Sequence, residues 1–180
     1  MTKIACTSFI LVTTIVLASC KKNTVSNHYI SCTIDGIAET FNFKAKAYDT
    51  TFVNGTRQIG FSGYLNDSAN SPLIDVTIYN WSAQNEISTE AYCDSSSLYD
   101  VFSDYYPKFT NSISDTVYNA SKTTLNELAA NSLVQNYFVL NITVISKTEL
   151  KGTFSGNYYL VSNVKNTPQN ITNGQFDLSF

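Results

Sequence analysis

The chain is poor in the residues on which most enzyme chemistry depends. One histidine, His28, serves 180 residues, and Trp and Met also occur once each. A lone histidine in a polar stretch has no partner to orient it, which nearly excludes Ser-His-Asp and Cys-His nucleophilic systems. Zinc fails for want of His and Cys ligands at suitable spacing. The seven glycines form no phosphate-cradling loop. Charge is thin: Asp, Glu, Lys and Arg make up 14% of the chain, against about 25% in ordinary soluble domains. The net charge is −3 with no basic stripe, so the electrostatic footprint of a nucleic-acid binder is missing. Neither a metal nor a cofactor is expected.

Long apolar runs are also absent, with one exception at the start. Ile4 to Leu17 is apolar apart from small and hydroxylated residues and follows a single positive charge, Lys3. It is too short for a comfortable membrane-spanning helix, which needs about 20 apolar residues. Its length and flanks fit a secretory signal peptide. Leu17-Ala18-Ser19-Cys20 closes the run. This tetrapeptide resembles the lipobox of bacterial lipoproteins. The resemblance implies a signal-peptide helix over residues 1–19, cleavage before Cys20, and a lipid on Cys20 that ties the protein to a membrane. No Asp follows Cys20 directly, which by the same resemblance favours the outer membrane. No acid occurs before Asp35, so the periplasmic and surface faces both stay open. Residues 20–27 are the lipidated cysteine and a polar tether, and 28–180 a single domain.

Cysteine is scarce once Cys6 leaves with the signal and Cys20 carries lipid. Cys32 and Cys93 remain as candidate disulfide partners in a compartment that permits oxidation. The alternative is two separate thiols packed as small hydrophobes.

What the sequence does have is strand material. Twelve Tyr and eleven Phe stand among many Ser, Thr and Asn, a composition that suits pleated, half-buried surfaces. Period-two alternation runs through Tyr29–Ile34, Phe41–Ala47, Ile59–Tyr64, Ile74–Tyr79, Phe138–Ile145, Leu150–Val161 and Phe176–Phe180, with a weaker stretch at Ile87–Cys93. Asp35-Gly36 and Asn54-Gly55 mark turns. Eight or nine strands on short loops predict an all-β domain, an antiparallel β-sandwich or alternatively a β-barrel. Thr124 and Glu127 have capping-box spacing and predict one short helix. Leu98, Val101, Phe102 and Tyr105 fit a helix, while Tyr99, Val101, Ser103 and Tyr105 fit a strand; both readings stand.

The stretches Lys151-Gly152-Thr153-Phe154-Ser155 and Ile171-Thr172-Asn173-Gly174-Gln175-Phe176 look like the ending of small outer-membrane lipoproteins of Bacteroidota. Cys32-Thr33-Ile34-Asp35-Gly36 resembles their opening strand and turn, though Ile37-Ala38-Glu39 departs from the aromatic that often follows. The resemblance implies a lipid-anchored all-β envelope domain with no catalytic residues to carry over.

Two kinds of function remain. One is a non-enzymatic binding or structural module, with a glycan or an envelope protein as partner. Its candidate surface is Trp81, Tyr92, Tyr99, Tyr105 and Tyr106, aromatic rings with polar handles on the least regular part of the chain. Core rings filling a β-domain are the competing account of those tyrosines. The other is a hydrolase or an inhibitor built on carboxylates, with Asp94, Asp100 and Asp104 or Glu86 and Glu90 as candidates. Exposed acids on outward strand faces are the ordinary alternative.

Overall fold

The computed structural model describes residues 28–81, 86–93, 99–112, 115–121 and 138–180. The signal sequence, Cys20, the tether, Asp94 and the predicted helix near Thr124 all lie outside them. The described residues are all-β: β1 Tyr29–Ile34, β2 Ile37–Phe41, β3 Phe43–Thr51, β4 Arg57–Tyr64, β5 Leu73–Asn80, β6 Ala91–Cys93, β7 Tyr99–Tyr106, β8 Tyr118–Asn119, β9 Val139–Ile145, β10 Glu149–Leu160 and β11 Gln169–Ser179. Segment 99–106 resolves as strand. The expected strand through Phe41–Ala47 is two strands broken at Asn42, and the two-residue β8 has no periodic signal of its own, which is why eleven strands stand where eight or nine were expected.

The eleven strands form one antiparallel sheet, with a main path β2-β1-β11-β10-β8-β7-β5-β4-β3 and with β9 and β6 branching from β10. The long β10 makes this possible. One of its edges follows β11 from Glu149 to Tyr158. Its other edge pairs first with β9 and then, at Tyr159 and Leu160, with β8. Passing from one neighbour to the next curls the sheet, until β1 touches β4 and β3 touches β11. The result is a nearly closed barrel, the second of the two arrangements expected, and a sheet that closes on itself leaves fewer unpaired edges.

Alternation decides what enters the barrel. On β1, Ile30, Cys32 and Ile34 are buried while Tyr29, Ser31 and Thr33 are half-exposed. Phe61 of β4 stacks on Phe176 of β11 across the interior, with ring centroids 4.3 Å apart. Phe138 and fully buried Tyr158 extend this aromatic core. The Tyr158 hydroxyl is kept from being an orphan by Ser103 Oγ at 2.5 Å.

The Gly-Thr-Phe and Gly-x-Phe sequences have a shared geometric reason. In the β10–β11 register Gly152 faces Phe176 and Gly174 faces Phe154. A Cβ on Gly152 would collide with the backbone carbonyl of Asn141 and the ring of Phe176. One on Gly174 would meet the carbonyl and ring of Phe154. Each phenylalanine therefore lies over the glycine of the opposite strand, and neither pair works without both members.

Candidate functional site

The half-barrel made by β3, β4, β5 and β7 carries side chains on both faces. On β5, Ile74, Val76 and Ile78 point to the core, so Asp75, Thr77 and Tyr79 point outward. On β7, Val101 and Ser103 are buried, and Asp100, Phe102, Asp104 and Tyr106 take the outer face. The two strands are hydrogen-bonded neighbours although β6 lies between them in sequence, and their register sets Asp75 opposite Asp104, Thr77 opposite Phe102 and Tyr79 opposite Asp100.

Five of these outward residues, Asp75, Thr77, Tyr79, Phe102 and Asp104, line a depression of about 380 Å³ together with Trp81, which follows the end of β5. A second depression of about 260 Å³ lies against the other side of Tyr79 and Trp81, where Phe52, Asn54 and Thr56 complete it. Tyr79 and Trp81 are thus the wall shared by both. Their rings are stacked, 5.6 Å between centroids and 14° from parallel. The Trp81 indole N–H donates to Asp100 Oδ2 at 2.6 Å, which fixes its orientation while the residue stays 58% exposed. Phe102 meets Tyr79 edge-on at 5.4 Å. With Phe52 and Val53 also exposed at the β3–β4 turn, this end of the face is an apolar platform.

The floor between the aromatics is acidic. The Tyr48 hydroxyl, from β3, donates to Asp75 Oδ1 at 3.5 Å and lies 2.5 Å from Thr77 Oγ1. It reaches them because Gly60 of β4 has no side chain: a Cβ there would occupy the space of the Tyr48 ring end. On the other flank, Asn119 Nδ2 donates to Asp104 Oδ1 at 2.5 Å, and Asn119 Oδ1 accepts the Ser121 N–H. Burial, and secondarily the neighbouring Asp104 charge, push the Asp75 carboxyl up to about 7, against the downward pull of the Tyr48 and Thr77 hydroxyls. Burial likewise raises Asp104, opposed by its bond from Asn119. Among the described residues no Lys or Arg forms an ion pair with either acid.

The structure divides the aromatic residues marked in the sequence. Trp81 and Tyr106 stand on the outer face; Tyr106 packs edge-on to Phe109 at 5.2 Å, beyond the acids. Tyr92, Tyr99 and Tyr105 point the other way. Tyr92 is buried, with its hydroxyl donating to the Ser88 carbonyl at 3.0 Å. Tyr99 meets Tyr92 edge-on at 5.1 Å and donates to the Glu86 carbonyl. Tyr105 packs against Phe41 at 6.3 Å. These three are wall and core residues. Of the acids, Asp104 is in the floor and Asp100 holds Trp81, while Glu86 contributes its backbone carbonyl and Glu90 accepts from Ser88 at the surface. Asp75, Tyr48, Tyr79, Phe102 and Asn119 were not singled out in sequence. The alternation that put Asp75, Thr77 and Tyr79 on one side of β5 was the available signal, but it names no neighbouring strand.

Cys32 and Cys93 remain thiols and hold no disulfide between them. Cys32 is inward on β1 and Cys93 sits on β6, with β11, β10 and β9 lying between those strands in the sheet. Burial pushes the Cys32 thiol up to about 12, which makes it an inert packing residue. Among the described residues no three His, Cys, Asp or Glu side chains gather as a metal-holding group. No protein-family model, curated protein or solved structure matches the chain.

Proposed function

We propose that this protein is a lipid-anchored binding module of the bacterial cell envelope, non-enzymatic, held to the outer membrane through Cys20 and engaging its ligand on the outer face of β3, β4, β5 and β7. The single observation that carries the reading is Trp81. It is a large aromatic, 58% exposed, stacked on Tyr79 and held by Asp100 at the wall between two depressions. A ring immobilised with its face open to water has its orientation fixed before any ligand arrives, which lowers the ordering cost of binding. Placement on the barrel agrees. The chain enters β1 beside Gly63, where Ile30 packs, whereas Trp81 follows Asn80, which pairs with Arg57 at the opposite end of β4. Six residues of strand at about 3.3 Å each separate the two ends by roughly 20 Å. The chain therefore enters the barrel at the end opposite Trp81, which suits a ligand face turned from the anchor.

Two measurements test this. Metabolic labelling with a fatty-acid analogue should mark the wild type and not Cys20→Ala; equal labelling removes the anchor. A photo-crosslinking residue at exposed Val53, on the β3–β4 turn beside Phe52 and outside the lining of either depression, should form adducts in the native envelope, while one at exposed Val139 on β9 should not. Equal adducts at both positions would remove the site.

A hydrolase is the second reading, and the opposed carboxyls are the reason to keep it. Directly facing residues on antiparallel strands have Cβ atoms about 4.5–5.5 Å apart, and retaining glycosidases set two carboxyls about 5–5.5 Å apart, one of them with a raised pKa. Asp75 at about 7 has that character. The shallow, open floor favours binding over turnover, since catalysis by carboxylates gains most where water is excluded. Turnover in a glycosidase screen, abolished by Asp75→Asn or Asp104→Asn, would decide for the hydrolase.

A further inference from the structure

We infer that the outer face takes an uncharged polysaccharide chain laid across Trp81, with one sugar stacked on the indole and its neighbours in the two flanking depressions, and that it rejects anionic polysaccharides. This rests on the binding reading above and names its ligand class.

The two depressions offer different surfaces to a ligand. The first has aromatic walls, Tyr79, Trp81 and Phe102, and a floor of Asp75, Asp104 and Thr77. The second has Phe52, Tyr79 and Trp81 as apolar surface and Asn54 and Thr56 as polar residues. Flat apolar faces beside hydrogen-bond acceptors suit a molecule that is itself amphipathic, with C–H faces and a rim of hydroxyl donors. A sugar ring is such a molecule. An aliphatic ligand would cover the half-buried carboxyls while offering no donor beyond the single ones from Tyr48 and Asn119, at the cost of polar groups left short of partners.

Polarity then selects among glycans. The floor holds acceptors in excess: two carboxyls facing each other, with Asp100 behind Trp81. Lys46 is the nearest base by register, since it pairs with Ser62, which pairs with Asp75, and it forms no ion pair with either acid. Above pH 7, where Asp75 is ionised, a uronate, sulfate or phosphate would meet like charge at close range with no Lys or Arg among the described residues ion-paired to the two acids to offset it, and like-charge juxtaposition is an effective way to exclude a wrong ligand. A neutral chain meets no such repulsion and supplies the missing donors.

The geometry also sets a length. The shared wall separates two cavities, so a chain that uses both must run past the Tyr79–Trp81 pair. A single sugar reaches only one of them. Oligosaccharides of three units or more should therefore bind much more tightly than monosaccharides.

The full chain, purified in nonionic detergent, tests this by affinity electrophoresis through gels containing neutral glucans, mannans, galactans or xylans, and in parallel through gels containing alginate, hyaluronate or polygalacturonate. The expected result is retardation by at least one neutral polymer and none by the anionic ones. Trp81→Ala should weaken the neutral interaction tenfold or more. Asp75→Asn/Asp104→Asn should weaken it similarly and relieve the exclusion of anionic polymers. Circular dichroism melting of each variant confirms that the fold is intact. Equal retardation by anionic and neutral polymers, or neutral retardation unchanged in both variants, overturns the inference. If no polymer retards the protein while a cross-linker at position 53 still forms adducts in the envelope, the ligand class is wrong and the binding face stands. If neither occurs, both fail.

Discussion

Asp75 and Asp104 stand directly opposite each other across β5 and β7, half-buried, one bonded by the Tyr48 hydroxyl and the other by the Asn119 amide. Like charges in facing positions destabilise a sheet, and the fold accommodates them by holding protons on the pair above the ordinary carboxylate range.

Stability should therefore depend on pH in a specific direction. Unfolded Asp ionises near 3.9, whereas folded Asp75 ionises at about 7. Between those values the folded state binds more protons than the unfolded one, so stability falls as pH rises from about 4 to about 7 and then levels off. The groups facing Asp75 are Tyr48 and Lys46 from β3, Asp104 and Tyr106 from β7, and Tyr79 on its own strand. Burial raises the Tyr48 and Tyr106 hydroxyls well clear of this range. Asp75→Asn should flatten the dependence and raise the melting temperature at pH 8 relative to the wild type. A wild-type melting temperature that rises from pH 5 to pH 8 would contradict the assignment.

The glycines under the phenylalanines give a second prediction. Gly152→Ala places a Cβ against the Asn141 carbonyl and the Phe176 ring, and the first of these is backbone that can yield only by shifting β9. A cost of about 3 kcal/mol follows from forcing extra volume into a packed site. Denaturant unfolding measures it; a change below about 0.5 kcal/mol would mean that the strands are not held in this register.

Tyr105 tests which face its ring occupies. It packs inward against Phe41 and Tyr118, so Tyr105→Ala should cost about 3 kcal/mol through lost burial and the cavity left behind. Ligand retention by the fraction that stays folded should be unchanged. An undiminished melting temperature would place the ring outside the core.

The sequence showed a good deal of this and stopped at identifiable points. Alternation placed Ile74, Val76 and Ile78 on one side of β5 and Asp75, Thr77 and Tyr79 on the other, as observed. Asp35-Gly36 is the turn expected, with φ of 49° and 86° at the two residues. Pairing partners could not be read, because the period of two is the same whichever strand lies alongside. Asp75 and Asp104 are brought together by a β5–β7 neighbourhood that skips β6. The same limit explains the tyrosines. Tyr105 and Tyr106 are adjacent in sequence and therefore on opposite faces of β7, so a cluster counted along the chain mixed core with surface.

Trp81→Ala tests most directly whether the outer face around Trp81 binds and the inward tyrosines do not. Melting temperature and ligand retention are measured on the same preparation, with retention read on the neutral-polymer gels or through cross-linking at Val53. Because Trp81 is 58% exposed and contributes little to the core, the melting temperature should stay within about 2 °C of the wild type, as for a surface substitution of no more than about 0.5 kcal/mol, while retention falls tenfold or more. A large drop in melting temperature with retention unchanged would contradict the claim.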